Sequence, residues 1–209
     1  MVRTAAFQAV NRSSILRGAT IMTKVLIEVS ARHLHLSQTD LNKLFGAGYK
    51  LKILKRLSQS GEFAAKETVA LVGAKGVLKS VRIVGPTRAK TQVEVSLTDA
   101  QTLGLKPPLR ISGDLRSAAK IKIIGPAGEI TAPAAIVALR HLHINPVEAK
   151  RLKLINRQTI KIAVKGNRQI IFDKVLVRVG KNYKLALHLD TDEANAAGLG
   201  SQPNYGQIV

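Results

Sequence analysis

The chain has 209 residues, 45% of them hydrophobic but only 3% aromatic, so it can build one larger domain or two small ones around aliphatic cores. It has no cysteine, which excludes a disulfide framework, a thiolate metal site and a cysteine nucleophile, and no apolar run approaches the roughly 18 residues of a membrane span. The net charge of +20 admits nucleic acid, a small polyanion or a generally basic proteome as its reason, but the cations are evenly spread and few aromatics are present for base stacking.

Residues 1–22 contain no acidic residue and carry Arg3, Arg12 and Arg17, with Val2, Ala6, Phe7 and Val10 at helical spacing. A short amphipathic targeting segment, a disordered extension and a true start at Met22 are three readings of this stretch. From Lys24, Val25, Ile27 and Val29 alternate as a strand that leads into Arg32-His33-Leu34-His35-Leu36. On a strand, residues i and i+2 share a face, so His-x-His points both imidazoles the same way. Ser37 predicts the N-cap of a helix over Gln38–Phe45, ended by Gly46 and Gly48. Within residues 51–67, the run of small residues over 58–65 predicts a loop or short helix. Strands follow over 68–72, 77–84 and 91–97, then a short helix from Thr98 to Gly104, broken by Pro107-Pro108. Strands over 109–112, 120–124 and 134–139 precede Arg140-His141-Leu142-His143-Ile144, after which Asn145 and Pro146 start a helix. Strands over Thr159–Val164, 170–172, 174–179 and 183–189 and a helix over 191–197 complete the pattern, and the final residues read as loose.

The two pentapeptides lie 108 positions apart (141 − 33) and use four of the five histidines. Later, Gly104-Leu105 aligns with Gly198-Leu199 at an offset of 94 (198 − 104), which makes Glu94 the counterpart of His188. Each half then offers three metal-competent side chains: His33, His35 and Glu94 in one, His141, His143 and His188 in the other. Three protein ligands and an open position are the pattern of a catalytic zinc site, and two such sets packed by a pseudo-twofold would make a dinuclear centre. A lone His on a strand is more often structural, and Glu94 alone would be a surface residue; only the repeat promotes them. The difference between the offsets gives half one about 14 extra residues (108 − 94), expected around 58–65. The predicted fold is mainly β with short α caps, as two pseudo-symmetric small β-barrels: an extension over 1–22, a first half over 23–115 and a second over 116–209.

At these residues the chain resembles a known family. Val29-Ser30-Ala31-Arg32-His33-Leu34-His35-Leu36-Ser37 is similar to the opening motif of the PduL-type phosphate acyltransferases (phosphate propanoyltransferases). The resemblance continues through 58–69, where the family commonly has Pro-Gly-Gln in place of Ser60-Gly61-Glu62, and through Gly85-Pro86-Thr87-Arg88, 92–100, Ser112-Gly113-Asp114-Leu115, 140–143 and 188–198. It implies two barrels around a two-zinc site, with each triad named above holding one Zn2+. It implies that Arg88 binds phosphate and that Val29, Ser30, Ala31, Lys75, Arg82 and Asn195 contact coenzyme A. The implied reaction is acyl-CoA plus phosphate to acyl phosphate plus coenzyme A, on acetyl or propanoyl chains. No Ser-His-Asp set or cysteine is evident, so direct transfer without an acyl-enzyme is expected. The rivals are a metal-dependent thioester or phosphoester hydrolase and a basic, inactive homologue that binds nucleic acid. Family members work in the cytoplasm or inside bacterial microcompartments; a homo-oligomer is open, and a membrane partner is not expected.

Overall fold

The computed structural model describes residues 23–200 and 203–209, so the expected extension over 1–22 lies outside the described residues. In chain order the elements are β1 (Lys24–Ser30), β2 (His33–His35), α1 (Gln38–Phe45), β3 (Ile53–Arg56), β4 (Phe63–Val72), β5 (Val77–Gly85), β6 (Gln92–Glu94), α2 (Leu97–Leu103), β7 (Leu109–Arg110), β8 (Ala119–Ile124), β9 (Glu129–Ala138), β10 (His141–Ile144), α3 (Pro146–Arg151), β11 (Thr159–Val164), β12 (Ile170–Val179), β13 (Ala186–Asp190), α4 (Thr191–Ala196) and β14 (Asn204–Ile208). No helix among the described residues is long and apolar enough to cross a membrane.

The strands close two six-stranded barrels. One runs β1-β13-β10-β12-β11-β14; in the other, β4-β5-β2-β6-β9 is closed by β8, which bonds both β4 and β9, while β3 and β7 flank the ring. The fold is mainly β with short helical caps, as expected. Each barrel has its own aliphatic core, one around Leu34, Leu36, Ile83, Val93 and Ile123, the other around Val25, Leu142, Ile144, Val177 and Leu187. With so few aromatics, closure rests on many branched side chains, each worth about 1.5–3 kcal/mol when fully buried.

The division at 115 is corrected. β1 belongs to the second barrel, where it runs parallel to β13 and antiparallel to β14, while β8 and β9 belong to the first. The cause is a reciprocal exchange. β1 leaves the second barrel and delivers His33 and His35 into the first on β2; β9 leaves the first barrel and delivers His141 and His143 into the second on β10. The repeat unit therefore begins with a crossing strand, and the pairings of β1, β2, β4, β5, β6 and β8 recur for β9, β10, β11, β12, β13 and β14 respectively.

Two further expectations change. The C-terminal residues are not loose: β14 pairs with β1 and with β11 and closes its barrel. Gly206 permits this, because a Cβ there would lie 2.6 Å from Ile162 Cγ2. Of the expected loop or short helix over 58–65, residues 58–62 are a loop and 63–65 begin β4, with β3 just before them; β3 is exposed along its length, and the register of β4 with β5 shifts between Ala64 and Thr68. The helix starts follow their caps. Ser37 accepts from Asp40 N, Asn145 from Glu148 N, and Ser96 and Asp190 form capping boxes with Asp99 and Glu193.

Candidate metal centre

In each His-x-His strand the central leucine fixes the direction of the histidines. Leu34 and Leu142 are fully buried in their barrel cores, so the flanking imidazoles point out of the barrels. A one-residue slip would put the histidines into an apolar core, so the register is strongly specified. The repeat alignment holds in space: His33 faces Glu94 across the β2–β6 pair, and His141 faces His188 across the β10–β13 pair. His33, His35 and Glu94 bring one ligand atom each to within 4.8 Å of one another, and so do His141, His143 and His188. The six residues expected from sequence thus fall into the two expected groups.

Backbone carbonyls orient most of these rings. His33 Nδ1 lies 2.9 Å from Ala31 O, His35 Nδ1 2.9 Å from Val84 O, and His141 Nδ1 2.8 Å from Leu139 O. Each contact fixes Nδ1 as the protonated nitrogen and leaves Nε2 free to ligate. His143 has no hydrogen-bond partner at either nitrogen, although it is buried and stacked on Tyr183 at 4.1 Å. His188 Nε2 is also without a hydrogen bond; Glu28 Oε2 is 3.3 Å away, within ion-pair distance but not in hydrogen-bonding geometry. Buried imidazole nitrogens left unpaired cost about 1–3 kcal/mol each. A cation held at these atoms would remove that cost, and the donor set of nitrogen and carboxylate oxygen suits zinc. The residues therefore fit a metal at both groups.

Glu94 is held by residues that sequence reasoning did not assign to the site. Its Oε1 accepts from Gln92 Nε2 and from Ser112 Oγ, both at 2.6 Å, and Gly113 N donates to Gln92 Oε1 at 2.7 Å. Oε2 is left to face His33 Nε2 at 3.8 Å. Gln92, two residues from Glu94 on the same strand face, was findable by period; Ser112 comes from a distant loop. The arginine of each pentapeptide clamps the helix behind it: Arg32 pairs with Asp99 at 3.1 Å and Arg140 with Glu193 at 2.6 Å. Glu28 breaks the symmetry, because it faces His188 on the crossing strand β1, whereas Ile136 faces Glu94 on β9.

Burial is the main reason that His35, His141, His143 and His188 titrate at about 3, 4, 2 and 4 rather than 6.5. Burial pushes Glu94 the other way, toward protonation, but the facing His33, the Ser112 hydroxyl, His35 and His141 outweigh it and hold the carboxyl at about 2. At neutral pH these four imidazoles are neutral and Glu94 is ionised, the forms that bind metal.

Arg88 sits against the first group: its N–H donates to Leu36 O at 2.9 Å, and its charge helps to lower His35 after burial and His33. Its guanidinium donates to Glu62 Oε1 at 2.9 Å. Ser30 lines a small pocket with Glu94, His141 and His188, between exposed Val29 and Ala31. Lys75, Arg82 and Asn195 do not line that pocket. Lys75 is exposed at the β4–β5 turn, its backbone N–H donating to Leu103 O; Arg82 donates to Ala65 O and Lys66 O; Asn195 is exposed on α4.

Residues 26–200 match the model of the family described as phosphate propanoyltransferase. The chain belongs to the phosphate propanoyltransferase family. It is an acyltransferase. Members named phosphate propanoyltransferase include one from Thermotoga maritima, 48% identical over 187 residues (88% of this chain, 87% of the relative). One from Clostridioides difficile is 46% identical over 173 residues (82% of this chain, 83% of the relative). One from Salmonella typhimurium is 44% identical over 183 residues (87% of each chain).

Proposed function

We propose that the protein is a two-zinc phosphate acyltransferase that interconverts acyl-CoA plus phosphate and acyl phosphate plus coenzyme A, on acetyl or propanoyl chains. The observation that carries this is the pair of triads, in register across each barrel wall, with imidazole nitrogens buried and unpaired. His33, His35 and Glu94 would hold one zinc, and His141, His143 and His188 the other. Zinc at these ligands supplies fixed positive charge for an oxygen that becomes anionic in the reaction and for a sulfur that leaves as thiolate.

The chain's own groups do the rest. Phosphate binds through Arg88, whose planar fork matches two phosphate oxygens. A phosphate oxygen then attacks the thioester carbonyl carbon; the C–O bond forms, the C–S bond breaks, and coenzyme A leaves. Ser30, in the pocket beside Glu94, His141 and His188, would position coenzyme A with its neighbours Val29 and Ala31, and Lys75, Arg82 and Asn195 would contact the cofactor outside that pocket. Gln92 and Ser112 keep Oε1 of Glu94 occupied, so that Oε2 faces the triad. The test is consumption of propanoyl-CoA and acetyl-CoA by the isolated protein with and without phosphate. Phosphate-dependent release of coenzyme A with stoichiometric acyl phosphate is expected. Release without phosphate would make the protein a hydrolase, and no turnover with salt-sensitive RNA binding would make it an inactive homologue.

Glu62 yields a separate expectation. Its carboxylate lies on the guanidinium that phosphate must use, and like charges compete for one fork. Glu62→Gln is expected to lower the KM for phosphate roughly three- to ten-fold, with little change in the KM for acyl-CoA. Steady-state kinetics with each substrate varied would show it; an unchanged or raised KM for phosphate would mean that Glu62 does not compete.

A further inference from the structure

A second opening, a cleft of about 620 Å³, shares no lining residue with the Ser30 pocket. It is lined by Ser112, Asp114, Arg116, Arg157, Arg178 and Tyr183 among others. It nevertheless abuts both triads. Ser112 donates to Glu94 Oε1 at 2.6 Å, and the Tyr183 ring stacks on His143 at 4.1 Å.

Three arginines face this cleft against one carboxylate. Asp114 is taken by Arg116 at 2.7 Å. Among the described residues, no carboxylate pairs with Arg157 or Arg178. Arg178 is the more telling, because it is half-buried and sits beside His143 in the β10–β12 register. Its one side-chain hydrogen bond is a long contact of 3.5 Å to Tyr183 Oη, and its guanidinium lies 5.9 Å from that ring. A guanidinium offers five N–H donors in a rigid fork suited to an oxyanion, and a half-buried one costs free energy until those donors are used. Arg88, by contrast, already holds Glu62.

We propose that this cleft is a phosphate site, in which Arg178 holds oxygens of inorganic phosphate, or of the phosphoryl group of acyl phosphate, beside the three-histidine triad. Arg157, exposed on the cleft wall, adds charge that draws the anion in. The proposal rests on the phosphate acyltransferase reading and adds a second cation to Arg88.

The experiment compares wild type, Arg178→Gln, Arg178→Lys and Arg157→Gln, each isolated with its metal. The KM for phosphate and for acyl-CoA are measured separately, and inorganic phosphate binding is measured by calorimetry. Arg178→Gln is expected to raise the KM and the dissociation constant for phosphate roughly ten-fold or more, with the KM for acyl-CoA within about two-fold. Arg178→Lys should recover only part, because an ammonium does not replace the fork. A rise in the KM for acyl-CoA alone would assign the cleft to the phosphates of coenzyme A and overturn the proposal, as would no change in either. Should Arg178→Gln lose metal or fold, Arg157→Gln carries the test: a rise in the KM for phosphate of about three-fold supports the site and no change rejects it. Wild type without phosphate-dependent turnover would sink the acyltransferase reading instead, and the calorimetric comparison of wild type with Arg178→Gln would still read the site.

Discussion

Replacing His143 by alanine is expected to reduce bound metal from two ions per chain to one and to lower phosphate-dependent turnover by roughly 10³-fold or more. His143 is the most informative of the six candidate ligands because nothing else in the structure uses its nitrogens: both are buried without a partner. Its stacking on Tyr183 places the ring but satisfies neither nitrogen. His143→Phe separates ligation from packing. The phenyl ring keeps the stack and removes the unpaired nitrogens, so the chelated variant is expected to be at least as stable as chelated wild type, while the isolated variant still lacks one metal. Two metals per chain and undiminished turnover in either variant would mean that His143 ligates nothing.

Acid is expected to destabilise the chelated protein steeply, and the window follows from the histidines. His35, His141, His143 and His188 take up protons only near 3, 4, 2 and 4 in the folded chain, against 6.5 for an ordinary histidine. Above pH 6.5 neither state is protonated and nothing is lost. As pH falls below 6.5 the unfolded chain binds protons that the folded chain refuses, so stability drops by on the order of 1.4 kcal/mol per pH unit for each histidine. The loss continues until the folded values near 4 to 2 are reached. Glu94, held at about 2 against 4.5, adds its own loss only below pH 4.5. Thermal melts of the chelated protein from pH 7.5 to 4.5 should therefore fall continuously below 6.5, and His143→Phe should show a shallower slope by one histidine's share. A flat profile over that window would show that these rings are not buried neutral.

Much of the centre was legible in the chain because both of its determinants are local. A period-two alternation puts Leu34 and Leu142 inside and the histidines outside, and the shared Gly-Leu endings carry the register to Glu94 and His188. Helix starts at Ser37 and Asn145 were legible for the same reason, since a cap is read within three residues. What was not legible depends on partners far away in sequence. The alternation of Val25, Ile27 and Val29 marks β1 as a strand but says nothing of its neighbours, so its place in the second barrel was missed. β14 carries Asn204 and Gly206 on the face it shares with Ile208, with no apolar alternation to mark a strand, and pairing on both sides makes it one.

The inserted residues of half one show the same limit. The loop over 58–62 reaches both barrels. Ser58 donates to Glu28 at 2.6 Å, Gln59 exchanges hydrogen bonds with the Lys184 backbone at 3.2 and 3.1 Å, and Glu62 holds Arg88. No local pattern announces contacts across 125 positions. Likewise, Ser112 supports Glu94 from a loop that spacing alone would never connect with it.

The two triads are built alike but are not equivalent. One includes a carboxylate braced by Gln92 and Ser112, and the other has three imidazoles with Glu28 beyond them. Crossing strands β1 and β9 lock the groups together, because each carries one barrel's chain directly into the other's histidine pair. Elemental analysis of the isolated protein, expressed without added metal and passed through a desalting step, tests this account most directly. Two zinc ions per chain are predicted, falling to one in His143→Ala and in Glu94→Gln. Less than one metal ion per chain, with phosphate-dependent turnover intact, would contradict it.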